Sequence, residues 1–244
     1  MLFVSEGYVL ASQCRINGAS ISCMKNNNIR NFAIIAHVDH GKSTLADRFL
    51  ELTKTMTLSK IGEQYLDTNP IEKARGITIK LAPVRMNYTL NAKPYILNLI
   101  DTPGHVDFSY EVSRTLAACE GAILLVDATQ GVQAQTVAHF FAAQKEGLTI
   151  IPVINKIDLQ SSKTEEVVRE LDEIFGIKKD EIIYISAKTG QNVPELLKAV
   201  VEKIPPPKGL TASPHRALKF DPLYDENRGV IVFVRVVDGT LPKN

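Results

Sequence analysis

Asn31-Phe32-Ala33-Ile34-Ile35-Ala36 runs directly into His37-Val38-Asp39-His40-Gly41-Lys42-Ser43-Thr44. The first stretch is a short apolar run, as a buried parallel strand should be. A glycine-containing loop follows, and helical character extends from Ser43 to Leu52. Strand, Gly-Lys-Ser loop and helix together form a phosphate cradle. Main-chain N–H groups and the helix N-terminus point at the anion. The usual pattern asks for Gly, four residues, Gly-Lys, then Ser or Thr. Ala36 stands in the first Gly position. Alanine is at ease only at ordinary φ/ψ, so the turn there is expected to keep a negative φ. His40 and Gly41 shape the loop, Lys42 can reach β and γ oxygens, and the Ser43 hydroxyl can bind Mg²⁺.

Outward from this stretch, the chain alternates strands with helices. Residues 53–79 are polar without clear period and read as a mobile segment. Leu81 to Leu90 and Pro94 to Ile100 read as strands around a turn at Asn91-Ala92-Lys93. A helix is expected from Gly104 through Ala118. Gly121 to Asp127 reads as a buried strand, Gln133 to Glu146 as a helix and Leu148 to Ile154 as a strand. Ser162-Lys163-Thr164-Glu165 has capping-box spacing and opens a helix to Phe175. Glu181 to Ile185 reads as a strand. Asn192 to Ile204 reads as a helix with Val193, Leu196, Leu197, Val200 and Val201 on one face. This alternation implies a mostly parallel sheet with helices on both faces, an α/β class. Pro205-Pro206-Pro207-Lys208-Gly209 stops the last helix. Ala217 to Asp221 and Gly229 to Val237 then read as strands with no helix between them, the start of a β-barrel domain truncated by the chain's end.

Four more motifs fall at the carboxyl ends of strands, where open α/β sheets bind ligands. Thr78, in Arg75-Gly76-Ile77-Thr78-Ile79, can place its hydroxyl on Mg²⁺ and sense a γ-phosphate. Asp101-Thr102-Pro103-Gly104-His105 supplies three groups. Asp101 can hold Mg²⁺ through water, Gly104 can offer its N–H to the γ-phosphate, and His105 can face an attacking water. In Asn155-Lys156-Ile157-Asp158, the Asp158 carboxylate can accept from guanine N1–H and the 2-amino group. Adenine offers neither donor and would leave that carboxylate unpaired. Lys156 can lay its methylenes across the base. Asn155 can tie its loop back to the phosphate loop. In Ser186-Ala187-Lys188, the Ala187 N–H can meet guanine O6.

The 244 residues suffice for one large domain and part of another, and 45% hydrophobic content permits a sizeable core. A net charge of +1 excludes nucleic-acid binding driven by bulk charge. Cys14, Cys23 and Cys119 match neither a zinc pattern nor a disulfide framework. Cys119 reads as a small buried hydrophobe. Residues 1–23 carry one basic residue, Arg15, and Glu6 interrupts the apolar start, a poor signal or transit peptide. Met24 is expected to be the natural start, with residues 1–24 treated as an extension, 25–207 as a GTP-binding domain and 208–244 as linker and incomplete barrel.

Val38-Asp39-His40 inside the loop, Arg-Gly-Ile-Thr and Asp-Thr-Pro-Gly-His resemble the translational GTPases, over about residues 25–244. Within that family the chain is similar to the LepA type, a back-translocating ribosomal elongation factor. Asn28 to Phe32, Val106 to Gly121, Ile204 to Pro207, Arg228-Gly229-Val230 and Asp238 to Leu241 carry this likeness. The resemblance implies a P-loop NTPase G domain that binds GTP and GDP with Mg²⁺ and hydrolyses GTP. Lys42, Ser43 and Thr44 match phosphate and Mg²⁺ contacts, and Thr78 the switch I threonine. His105 matches the catalytic histidine, with Val38 and Ile77 as its apolar gate. Asp39 matches a residue linked to the phosphate loop and a monovalent cation. Asn155, Lys156, Asp158, Ser186, Ala187 and Lys188 match the guanine-binding set. Ribosomal RNA and transfer RNA contacts would lie in later domains. A cytoplasmic monomer is implied, peripheral on the cytoplasmic side of the cell membrane. Pro70 to Ala74 departs from the charged run usual before Arg-Gly-Ile-Thr. Alternatives are a translocation or initiation factor, a nucleotide-binding fragment without ribosomal activity, and an unrelated P-loop ATPase, which Asp158 disfavours.

Overall fold

The structure is a computed structural model and describes residues 2–5, 8–9, 26–55, 82–102, 109–210, 212–225 and 229–239. Its main sheet has six strands. They are β3 (Ile29–Ala36), β4 (Ala82–Leu90), β5 (Lys93–Asp101), β6 (Gly121–Asp127), β7 (Thr149–Asn155) and β8 (Ile183–Tyr184). The spatial order is β4-β5-β3-β6-β7-β8. All neighbours run parallel except β4, which pairs antiparallel with β5 across the turn at Asn91 and Ala92. Both turn residues take positive φ, 51° and 60°, as a tight two-residue hairpin requires.

Alternation along β3 explains the two-sided burial. Phe32, Ile34 and Ala36 face α1 (Lys42–Leu52) and the last helix, α5 (Val193–Lys203), where Leu45, Phe49, Leu196, Leu197 and Val200 join one core. Ala33 and Ile35 face the opposite layer. There α2 (Ser109–Ala117), α3 (Ala134–Lys145) and α4 (Thr164–Phe175) bury Val112, Leu116, Phe140 and Leu171. Cys119 is buried in this second core, and burial pushes its thiol pKa well above the usual range. Hence it is a hydrophobe here, as the sequence suggests.

Two expectations need correction. Ser162 does not cap α4. The helix starts at Thr164 with Lys163 at the N-cap and no side-chain cap bond. The Ser162 N–H closes a turn on the Leu159 carbonyl, so its hydroxyl reaches Thr164 Oγ1 at 2.7 Å instead of a helix N–H. The expected strand 181–185 shrinks to Ile183–Tyr184 because Lys179–Glu181 winds into a 3₁₀ turn, with Glu181 accepting from the Lys178 N–H at 2.9 Å. The segment 56–79 and Cys14 and Cys23 lie outside the described residues.

Beyond the proline run, β9 (Arg216–Asp225) and β10 (Gly229–Asp238) form an antiparallel hairpin, consistent with the start of a barrel. Residues read from sequence as an extension supply β1 (Leu2–Ser5) and β2 (Tyr8–Val9), giving a second sheet ordered β2-β1-β10-β9. Leu2 to Val4 pair with Val232 to Val234. Arg235 of β10 pairs with Glu120, which also accepts from Asn31 Nδ2 at 2.8 Å.

Candidate nucleotide site

The carboxyl ends of β3, β6, β7 and β8 bring the predicted loops to one edge of the sheet. β3 is the topological switch point: the chain continues to β4 and β5 on one side and to β6 on the other. The loop after β3 ends at Gly41, which begins α1 in the left-handed region at φ 91°. No side chain caps the first turn of α1, and that turn holds no acidic residue. Its main-chain donors therefore suit an anion. Ala36 keeps an ordinary φ, as expected. The positive φ falls on Asp39 instead, at 65°. Sequence spacing gave no signal for this, because Asp tolerates that region better than most residues and carries no glycine mark.

Asn155 joins the two ends of the site. Its Nδ2 donates to the His40 carbonyl at 2.9 Å, and its Oδ1 accepts from the Ala187 N–H at 2.9 Å. The side chain is 2% exposed. A Cβ on Gly41 would stand 2.5 Å from Asn155 Nδ2, so glycine permits this approach. The tie expected from sequence is present, and it extends further than expected, to the Ser186-Ala187-Lys188 loop. The Ala187 N–H is engaged with Asn155 here, so a base O6 would share that donor.

Lys156, itself at φ 65°, reaches back as well. Its Nζ donates to the Asp39 carbonyl at 2.7 Å and pairs with Asp127 Oδ2 at 2.6 Å. Asp127 ends β6, is fully buried, and accepts from Thr129 N–H and Oγ1 at 2.7 Å each. Burial alone would raise its pKa, but the bonds from Lys156 and Thr129 outweigh burial and hold it below the usual carboxylate value. Asp127 was missed in the sequence because it reads as the last residue of an apolar strand.

The His40 side chain turns inward. Its ring is fully buried, with Nδ1 3.3 Å from both the Leu125 carbonyl and the Asp127 N–H. Burial pushes its pKa down to about 4, so the ring is neutral at ordinary pH. The His40 contribution to the loop is its main chain. The His37 ring sits edge-on to it at 5.2 Å.

Lys42 is buried at the start of α1, with Ser43 beside it and Thr44 exposed. Asp158 and Lys188 are exposed, Ser186 is fully buried, and Ser186 Oγ accepts from the Thr189 N–H at 3.1 Å. Asp101 ends β5 opposite Ile34 of β3. A hydroxyl at Ser43 and a carboxylate at Asp101 are hard oxygen donors, the chemistry that Mg²⁺ prefers. Thr78, Gly104 and His105, with Ile77, lie outside the described residues.

Arg48, on α1, was also missed in the sequence. Its Nε donates to the Ala187 carbonyl at 3.0 Å and its Nη2 to the Lys188 carbonyl at 2.6 Å.

Residues 27–206 match the elongation factor Tu GTP binding domain family. The chain belongs to that family. Among curated relatives, this chain is 56% identical to the chloroplastic translation factor GUF1 homolog of Oryza sativa subsp. japonica, over 96% of its own length and 34% of the rice protein. It is 59% identical to elongation factor 4 of Clostridium tetani, over 89% of this chain and 36% of that protein. The similarity to elongation factor 4 of Gloeothece citriformis is 57%, with the same two coverages. This chain thus spans about a third of the length of these relatives. Over that span it is similar to elongation factor 4 and GUF1 translation factors. Among solved structures, a bacterial selenocysteine-specific elongation factor superposes with a TM-score of 0.66 at 26% identity, covering 86% of this chain and 34% of that one. No helix among the described residues is long and apolar enough to cross a membrane.

Proposed function

We propose that the chain is the GTP-binding and GTP-hydrolysing part of a LepA-type factor that acts on the ribosome and promotes back-translocation. The observation that supports this most is the pair of hydrogen bonds that Asn155 makes. One side chain from the Asn-Lys-Ile-Asp motif holds the loop suited to phosphates and the loop suited to a guanine base. Asp158 accepts from the base N1–H and 2-amino group, Lys156 covers the base face, and Ser186, Ala187 and Lys188 line the O6 side. His40, Gly41, Lys42, Ser43 and Thr44 surround the phosphates with main-chain and side-chain donors.

In the reaction, water attacks the γ-phosphorus in line and the bond to the β-phosphate oxygen breaks. His105 orients that water, and Thr78 and Gly104 contact the γ-phosphate. Lys42 and the loop N–H groups take up charge on the leaving oxygen. Ser43, Thr78 and Asp101 would hold Mg²⁺, which would supply neutralisation of the phosphate charge. A monovalent cation near Asp39 would find an oxygen donor in the exposed Asp39 carboxylate.

On the same resemblance we place the factor in the cytoplasm as a monomer, in contact with the cytoplasmic face of the membrane, and divide the chain into residues 1–24, 25–207 and 208–244. The test is steady-state phosphate release from GTP by the full-length factor, with and without ribosomes. Stimulation by ribosomes supports the proposal, and a rate indifferent to them contradicts it.

A further inference from the structure

We propose that Arg48 is a positioning residue for guanine recognition: it fixes the direction of the Ala187 N–H from the helix that carries the phosphate loop. This inference rests on the proposed guanine-nucleotide site and adds a residue that the sequence motifs do not contain.

Arg48 sits on α1 beside the buried row Leu45, Ala46, Phe49 and Leu50. Its guanidinium uses three edges. Nε meets the Ala187 carbonyl at 3.0 Å, Nη2 the Lys188 carbonyl at 2.6 Å, and Nη1 the Glu51 carboxylate at 2.5 Å. Glu51, one turn further along the same helix, sets the plane of the fork. Two successive main-chain carbonyls are thus gripped by one rigid planar group.

The consequence lies in Ala187. Its N–H belongs to the peptide before its Cα and its C=O to the peptide after it. Asn155 Oδ1 holds the first and Arg48 Nε holds the second. With both peptides fixed, neither φ nor ψ of Ala187 can drift, and the N–H that would meet O6 keeps its aim. Two nearby bonds close the turn: Ser186 N–H donates to the Gln191 carbonyl, and Gly190 N–H donates to the Ser186 carbonyl, which shares a peptide plane with the Ala187 N–H and helps Asn155 hold that first peptide, leaving Arg48 to hold the second.

The Arg48–Glu51 ion pair itself contributes little to this arrangement. Arg48 and Glu51 are each about a third exposed, 35% and 34%, and exposed pairs add little to stability. The carbonyls are at a loop that water can reach on the Lys188 side. What the guanidinium adds is geometry: it ties α1, which begins at Lys42, to the base loop. The phosphate end and the base end of a nucleotide then meet one body.

Binding of GDP, IDP and ADP separates this role from others. IDP keeps O6 and N1–H but lacks the 2-amino group that Asp158 would read. Loss of Arg48 should therefore weaken GDP and IDP equally. With Arg48→Gln, Kd for both is expected to rise about tenfold (~1.4 kcal/mol), with their ratio unchanged and ADP unaffected. Arg48→Lys, which can reach one carbonyl but not both, should recover part of the loss. Melting temperatures, measured alongside, should stay near wild type for the Lys variant, so that its intermediate affinity reads recognition and not folding. Unchanged GDP affinity in both variants overturns the proposal. A shifted GDP-to-IDP ratio also overturns it, since the effect would then run through Asp158. Wild-type protein that binds GDP no more tightly than ADP would instead remove the guanine site itself.

Discussion

Replacing Asn155 with alanine should uncouple the two loops. The substitution removes two buried bonds at once, 2.9 Å each, and leaves the His40 carbonyl and the Ala187 N–H without that partner. An unsatisfied buried polar group costs about 1–3 kcal/mol, so the pair should cost about 2–6 kcal/mol, the lower end applying if water enters. Urea unfolding at neutral pH reads this loss directly, and a GDP titration should show a parallel weakening. Asn155→Asp separates the two bonds. A carboxylate still accepts from Ala187 but sets an oxygen against the His40 carbonyl oxygen. That repulsion raises the folded-state pKa of the new carboxyl above its unfolded value. The folded state then binds the extra proton, and the variant's deficit against wild type should shrink as pH falls. An Asn155→Ala variant within about 0.5 kcal/mol of wild type and with unchanged GDP affinity would refute the coupling.

Gly41→Ala forces a left-handed alanine, at about 1–2 kcal/mol, and puts a methyl 2.5 Å from Asn155 Nδ2, so nucleotide affinity should fall at least tenfold in a fluorescence titration. Acid should destabilise the fold through His40. Unfolded imidazole binds its proton near 6.5 and the buried ring only near 4, so the unfolded state holds more protons between these values and stability drains as pH falls through that window. The full effect is ~3 kcal/mol. His139, its pKa also lowered by burial, adds in the same direction. In urea midpoints at pH 7.5 and 5, His40→Gln should lose less stability than wild type, and an equal loss would contradict this origin. Gly121→Ala places a methyl 2.5 Å from Ile204 Cδ1 and should cost about 1–3 kcal/mol of stability by overpacking, while GDP affinity per folded molecule stays unchanged.

Strands with strong apolar runs were legible in the sequence to within a residue or two: β3, β6 and β7 bury nearly every side chain, so composition alone marks them. The edge strand β8 was overlong in that reading. Ile182 and Ile185 are buried through a 3₁₀ turn and a loop, so apolar content there does not mean ladder pairing. The Asn155 tie could be read because the motif implies it. Asp127 and Arg48 could not, since their partners lie far off in sequence: Lys156 for the first, the carbonyls of Ala187 and Lys188 for the second. Main-chain acceptors leave no mark on residue identity. His40 lies in the loop after β3, as its place in the motif suggests, but the direction of its ring depends on β6, which the loop motif does not encode.

The most direct check of the central claim is a calorimetric titration of the folded chain with GTP and ATP, repeated on Asp158→Ala. The account predicts that the wild type binds GTP far more tightly than ATP and that the variant loses most of this preference while remaining folded. Equal binding of the two nucleotides by wild type, or a preference for GTP that survives in Asp158→Ala, would contradict it.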